Sequence, residues 1–245
     1  ELIEQQLLQH YINGKGYEVK NRRYSLPITK GINGVEQDLP VHPYIFGCWL
    51  GDGSSRGARL TVGDEDKEII EIIQGLGEPI TINPQKDRAT TYGLSDGTMG
   101  GALEKKAKTI QGRLRELGVL NNKHIPQQYL RGSRAQRLEL LRGLMDTDGY
   151  VSIKGRCEFT TISEVLSQQV AELLHSLGIK SRVIIGDATL NGRFISKKYR
   201  LHFQAFRDES VFHLTRKTAR LRNRPDGIAR SDRVKIGRAS CRERV

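Results

Sequence analysis

Cysteine is scarce in this chain. Only Cys48, Cys157 and Cys241 occur in 245 residues. With no CxxC pair and no Cys/His cluster at zinc-ligand spacing, neither a disulfide framework nor a structural zinc is indicated. No apolar run approaches the roughly 20 residues that span a bilayer, and no secretory signal opens the chain. These absences predict a soluble, cytoplasmic protein with no membrane partner. The six histidines, His10, His42, His124, His175, His202 and His213, are scattered and read as ordinary surface or core residues. An initiator Met is missing too: Glu1 stands inside an amphipathic run (Leu2, Ile3, Leu7, Leu8, Tyr11). At the other end, residues 235–245 (KIGRASCRERV) read as a translated sequencing adaptor, so both ends are expected to be cut.

What the chain has in excess is positive charge. Forty Lys and Arg against 28 Asp and Glu give +12 and a pI near 9.8, the electrostatic footprint of a protein that lies along a polyphosphate. The excess survives removal of the tail, which carries Lys235, Arg238, Arg242 and Arg244 against Glu243. A hydrophobic fraction of 37% is sufficient for a buried core.

The sequence also says one thing twice. Residues 44–53 (YIFGCWLGDG) and 140–149 (LLRGLMDTDG) are both apolar stretches that hold a glycine and run into Asp-Gly. After each comes an alternating strand, an acidic or Ser helix start, an amphipathic helix and a Leu-Gly stop, at 58–77 and 157–178. Ile69, Ile70, Ile73 and Leu76 match Val170, Leu173, Leu174 and Leu177. Strand-like segments follow at 80–82, 90–94, 183–185 and 199–206, with helices predicted at 110–117 and 211–221. The fold class is therefore α+β: a pseudo-twofold pair of αββαββα halves.

Pro43 suits the first turn of a helix after His42. Gly47 and Gly51 lie four apart on one face of it, and a helical glycine costs about 1 kcal/mol against alanine. Close backbone approach offsets that cost, so this face should pack against the helix that carries Gly143. If the two helices cross on a pseudo-dyad, their last turns bring Asp52 and Asp148 together. Acids at helix C-termini oppose the dipole unless a cation compensates. Oxygen ligands without His or Cys favour a hard ion such as Mg²⁺. Gly53 and Gly149 are expected to be left-handed C-caps.

With these residues in place, the two segments resemble the paired LAGLIDADG (dodecapeptide) motifs of homing endonucleases. PYIFGCWLGDGSS, NNKHIPQQYL and RLELLRGLMDTDGYV are similar in particular to endonuclease domains lodged in bacterial inteins. The resemblance covers about residues 38–222. It implies that the motif helices form the interface of two halves whose antiparallel sheets make a DNA-binding saddle. The implied activity is metal-dependent double-strand cleavage by a monomer at a long asymmetric DNA site. Asp52 and Asp148 would bind two or more Mg²⁺, or Mn²⁺ in its place, with Gly51 and Thr147 counted in the metal site. Lys123, in the Lys-x-Ile-Pro box, matches a lysine near the active site that orients or acidifies the attacking water or offsets phosphate charge, against the plainer reading of an exposed turn lysine. Lys217 is the second-half candidate, although on a basic helix (RKTARLR) it reads better as a contact to DNA backbone or solvent. Asp146 reads as a solvated helix-surface acid.

Polar and basic strands can line the major groove. Candidate DNA contacts are Arg56, Arg59, Arg88, Lys154, Arg156, Arg182, Arg193, Lys197, Lys198 and Arg200, with a charged solvent face as the alternative for any one of them. Residues 189–198 (TLNGRFISKK) predict a hairpin with Asn-Gly at its turn. The expected organisation is a remnant of an intein lead-in segment at 1–40, a first half at 41–132, a second at 133–222 and a tail at 223–245. Splicing is not expected, because a first-residue nucleophile, a Thr-x-x-His box and a terminal His-Asn are not seen. A catalytically inactive DNA-binding module of the same fold and an RNA maturase of group I introns stay open as alternatives.

Overall fold

The computed structural model describes residues 8–22, 25–28, 30–83, 89–95, 109–226 and 233–235. Two units are distinct, one of residues 1–30 with 225–245 and one of residues 31–224. In the first, β1 (Leu8–Ile12) and β2 (Glu18–Arg22) form a hairpin. Its turn is closed by Asn13, whose side-chain oxygen accepts from the amides of Lys15 and Tyr17, and by Gly16 at φ +79°. In the same unit β3 (Ser25–Pro27) pairs with a strand at Arg233–Lys235. Apart from Lys235, the expected adaptor tail lies outside the described residues.

The larger unit is built on two helices. Helix α1 (Pro43–Asp52) starts at an N-cap His42, whose Nδ1 accepts from the Tyr44 amide, with Pro43 at its first position. From Pro43 to Leu50 every residue is buried, as befits a helix that carries no charge until its last residue. The first half continues with a Gly53–Leu60 bridge, β4 (Arg59–Val62), a 3₁₀ turn at Asp64–Asp66 and α2 (Glu68–Gly75). It then runs through β5 (Thr81–Asn83), β6 (Thr90–Gly93), α3 (Ile110–Glu116) and α4 (Gln127–Leu130). Its sheet has the order β4-β6-β5, all antiparallel.

The second half opens with α5 (Arg134–Thr147), started by a reciprocal capping box between Ser133 and Gln136. It proceeds through β7 (Gly149–Val151), β8 (Arg156–Thr161), α6 (Glu164–Ser176), β9 (Ser181–Leu190), β10 (Arg193–Gln204) and α7 (Thr215–Thr218). The sheet order is β7-β8-β10-β9. The Asn-Gly hairpin is present and longer than the sequence implied, and at its turn Asn191 (φ 50°) and Gly192 (φ 77°) take the left-handed conformations that match strand twist. The architecture is α+β with antiparallel sheets.

Helices α1 and α5 pack on each other more extensively than any other helix pair in the unit. A Cβ placed on Gly143 would fall 2.9 Å from the Gly47 Cα, and one on Gly47 would meet the Leu144 amide at the same distance. One level down, Gly51 faces the Thr147 side chain. One apolar core runs through both halves, from Trp49, Leu60 and Ile73 to Phe159, Leu173 and Leu201.

Two local expectations are corrected. Gly53 (φ −75°, ψ 148°) is extended and Gly149 opens a strand with no positive φ, so neither is a left-handed cap. Both are small because a Cβ would strike the backbone oxygen of the preceding turn, that of Trp49 and of Met145 respectively. The predicted helix at 211–221 shrinks to Thr215–Thr218, because the backbone ahead of it is drawn toward a buried carboxylate.

Candidate active site and nucleic-acid interface

The last turn of each central helix ends in carbonyls with no helical partner. A lysine from a distant segment reaches each of them. Lys123 Nζ donates to the carbonyls of Leu50 (3.0 Å) and Gly51 (2.9 Å) at the end of α1. Lys217 Nζ donates to those of Met145 (2.8 Å), Asp146 (2.7 Å) and Gly149 (2.7 Å) at the end of α5. Each ammonium also lies over an aromatic ring, Lys123 over Trp49 at 5.3 Å and Lys217 over Phe212 at 5.8 Å. Burial lowers the pKa of both lysines, and for Lys123 the charges of Asp148 and Asp52 oppose that shift. Lys217 is therefore neither a solvent lysine nor a surface one, as the sequence had implied; its side chain is buried against a helix end.

Asp146 is the second correction. It is fully buried, not solvated. Its carboxylate accepts from the Tyr44 hydroxyl (3.0 Å), from the His213 amide and from the Leu214 amide. These bonds hold the segment that delivers Lys217, and through Tyr44 they tie α1 to α5. Burial raises the Asp146 pKa against the pull of these donors.

Further contacts cross between the halves. Arg216, beside Lys217, forms a two-pronged ion pair with Asp66 of the first half (2.6 and 2.7 Å). The Thr215 amide donates to Glu68 Oε2 (2.7 Å). In the other direction Gln169, on α6, accepts from the Ile125 amide (2.8 Å) and donates to the Ile125 carbonyl (3.1 Å). Ile125 is two residues from Lys123. None of these partners carried a sequence signal, because each is an ordinary polar residue at a helix start or on a helix face.

Asp52 and Asp148 stand at the two helix ends and are both solvent-accessible. The Asp148 carboxyl carbon is 3.5 Å from where a Cβ on Gly51 would sit, next to Asp52. Burial raises both carboxyl pKa values. For Asp148 the second cause is the charge of Asp52, and its pKa reaches about 6, with Lys123 and Lys217 acting in the opposite direction. Two partly desolvated carboxylates, joined by no His or Cys in a metal-holding group among the described residues, fit a hard divalent cation, which would relieve the crowding of charge. Among the described residues no group of three or more His, Cys, Asp or Glu gathers as a metal cage. The other two residues counted with the metal site are already engaged. The Gly51 carbonyl accepts from Lys123, and the Thr147 hydroxyl donates back to the Gly143 and Leu144 carbonyls.

Strand register sorts the basic residues. On the second sheet Arg156, Arg182, Lys198 and Arg200 share the open face with Tyr150 and His202, while Val151, Cys157, Phe159 and Leu201 face the core. Arg200 Nε has no hydrogen-bond partner among the described residues. Arg59 is exposed on β4, whose Leu60 and Val62 point inward, and Arg56 and Lys154 are exposed on turns. Arg193 is exposed at the hairpin tip. Lys197 lies on the opposite face and pairs with Asp187 at 2.5 Å, so it is not aligned with the others. Arg88 lies outside the described residues.

Residues 135–205 match the family model of a LAGLIDADG-like domain. This LAGLIDADG-like segment comprises nearly all of α5, β7, β8, α6 and β9, and β10 to its end. Across 191 residues the chain is 37% identical to the replicative DNA helicase DnaB of Mycobacterium intracellulare, a match that covers 76% of this chain and 28% of the helicase. The chain thus spans little more than a quarter of that relative's length. Among solved structures it is similar to mesophilic variants of the homing endonuclease I-DmoI (16% identity, TM-score 0.45, covering 69% of this chain and 90% of that one). A second likeness is to the N-terminal LAGLIDADG domain of DUF199/WhiA (12% identity, TM-score 0.38, covering 74% and 82%). Among the described residues no helix is long and apolar enough to cross a membrane.

Proposed function

We propose that the chain is a site-specific DNA endonuclease of the homing type that hydrolyses a phosphodiester in each strand of a long asymmetric site with divalent metal. The observation that carries this reading is the placement of Asp52 and Asp148 at two neighbouring helix ends, each end capped by a lysine ammonium, half-buried for Lys123 and buried for Lys217. Asp52 and Asp148 would hold Mg²⁺, or Mn²⁺ in its place, and a bound ion supplies an acidified water and neutralises charge developing on the phosphate. The lysines make the acids tolerable where they stand, since they cover the carbonyls whose negative ends would otherwise repel them.

The two lysines differ in what they have left to give. Lys217 spends three donors on the carbonyls of Met145, Asp146 and Gly149. Lys123 uses two, and its third proton has no partner among the described residues, so it is the lysine placed to meet a phosphate oxygen or the attacking water. Arg56, Arg59, Lys154, Arg156, Arg182, Arg193, Lys198 and Arg200 form the surface along which duplex DNA would lie. The partial overlap with a helicase fits an endonuclease domain lodged in an intein within a replicative helicase.

The test is Mg²⁺-dependent linearisation of a plasmid carrying an uninterrupted replicative helicase gene. Asp52→Ala and Asp148→Ala are expected to abolish cutting and to keep DNA binding in Ca²⁺. Cutting by either variant would overturn the assignment of the acids, and absence of Mg²⁺-dependent cutting by the wild type would leave a DNA-binding module.

A further inference from the structure

Each lysine at the centre is held in place by the half of the molecule to which it does not belong. Lys217 follows Thr215 and Arg216, and these are fixed by Glu68 and Asp66 of the first half through the Thr215 amide and the two-pronged Arg216 pair. Lys123 precedes Ile125, and both backbone polar groups of Ile125 are fixed by the single side chain of Gln169 in the second half. The two clamps occupy similar places in the repeat, at the 3₁₀ turn and first residue of α2 and on α6, the helix that follows the first strands of each half. Both carry good geometry. The Asp66–Arg216 contact is a fork-to-fork pair, the geometry in which a charge-assisted bond is strong and directional. The Gln169 amide satisfies a donor and an acceptor on a buried residue, which would cost about 1–3 kcal/mol for each group left unpaired.

We infer that Asp66, Glu68 and Gln169 are positioning residues that set the two lysines crosswise, so that each cutting centre is complete only when both halves are docked. The inference rests on the nuclease reading for its consequence and on the hydrogen bonds alone for its geometry. Lys123 holds the end of α1 beside Asp52 and Lys217 holds the end of α5 beside Asp148, so loosening one clamp displaces the helix end that carries one acid and leaves the other in place. A protein built this way nicks when one clamp fails and cuts cleanly when both hold.

Two measurements test it. The first needs no activity: ¹⁵N spectra of lysine ammonium groups in the DNA-free protein, where a buried, hydrogen-bonded ammonium exchanges slowly and is seen. Gln169→Ala is expected to broaden or remove the Lys123 signal and to leave that of Lys217. Asp66→Ala, alone or with Glu68→Ala, is expected to do the reverse. Retention of both signals, or loss of both in either variant, overturns the crosswise clamp. The second is strand-resolved cleavage of the target plasmid. The two variants are expected to accumulate nicked circles cut on opposite strands, with the slow strand down by about tenfold or more and the other within about twofold. Equal slowing of both strands would mean that these residues support the fold only. If the wild type leaves the plasmid intact, the nuclease reading fails while the ammonium spectra still decide the clamp.

Discussion

Gly47 and Gly143 face each other across the central helix pair, so near that a methyl group on Gly143 would lie 2.9 Å from the Gly47 Cα. Backbone stands on both sides of this contact, and no flexible side chain can yield to an added atom. Gly143→Ala is expected to destabilise the protein by about 3 kcal/mol or more, beyond an ordinary overpacked core site. Because the same helix pair carries Asp52 and Asp148 at its ends, whatever folded protein remains should cut DNA poorly. Chemical denaturation together with the plasmid assay checks both; a variant of wild-type stability would show that the helices slide apart freely.

Asp146 holds three donors away from water. Asp146→Ala leaves the Tyr44 hydroxyl and two amides unpaired and is expected to cost about 3 kcal/mol or more, with loss of hydrogen-exchange protection at His213 and Leu214. Asp146→Asn keeps the shape and one acceptor and should cost less. Protection unchanged in the alanine variant would contradict the anchoring role.

The metal-free protein should lose stability as pH rises. The Asp148 carboxyl is pushed up to about 6 in the folded chain from an ordinary 3.8, so between these values the unfolded chain ionises while the folded one holds its proton. A raised carboxyl makes its favourable contribution at low pH, loses it across this window and adds nothing further above about 6. The thermal midpoint of the wild type is expected to fall over about pH 4 to 6 more steeply than that of Asp148→Asn. Mg²⁺ at neutral pH should restore part of the loss. Parallel curves for the two proteins would remove the electrostatic strain from the site.

Lys123 and Lys217 both cap a central helix end and should part company in experiment. Lys217→Met strips three carbonyls of their donor in a buried place and is expected to lower stability by about 2–4 kcal/mol. Lys123→Met frees two carbonyls in a more open place, so stability should change less while cleavage of one strand falls by about a hundredfold or more. Equal effects on folding would erase the distinction between a helix-capping lysine and one with a proton to spare.

On the open sheet face, Arg182→Ala and Arg200→Ala are each expected to weaken DNA binding and to reduce the slope of log affinity against log salt by about 1 if they meet phosphate. Lys197→Ala, whose ammonium is spent on Asp187, should leave that slope nearly unchanged. The reverse order would relocate the DNA-facing surface.

The repeat made much of this legible. Apolar periodicity and the Asp-Gly ends gave the helix pair, and alternation on the strands gave the sheets. The glycines at 47 and 143 had a physical cost that only close packing explains. What the pattern could not reveal was direction: Asp146 and Lys217 are charged residues on segments that look amphipathic, and burial of a charge depends on partners supplied by residues far along the chain. Tyr44, Gln169 and Asp66 are such partners. Gly53 and Gly149 depart from left-handed caps: a small residue after a helix is commonly there for its dihedral freedom, whereas here the space beside the Trp49 and Met145 carbonyls is what forbids a side chain.

With two carboxylates and no third His, Cys, Asp or Glu gathered with them into a metal-holding group among the described residues, the protein on its own offers an ion an incomplete coordination sphere. In the proposed reaction the missing ligands arrive on the nucleic acid, since Mg²⁺ is commonly held by one or two carboxylates together with substrate phosphates. Cation and duplex then promote each other's binding by the same factor. In that reading a chain that has not found its site is a poorly loaded enzyme, and recognition itself is what arms it.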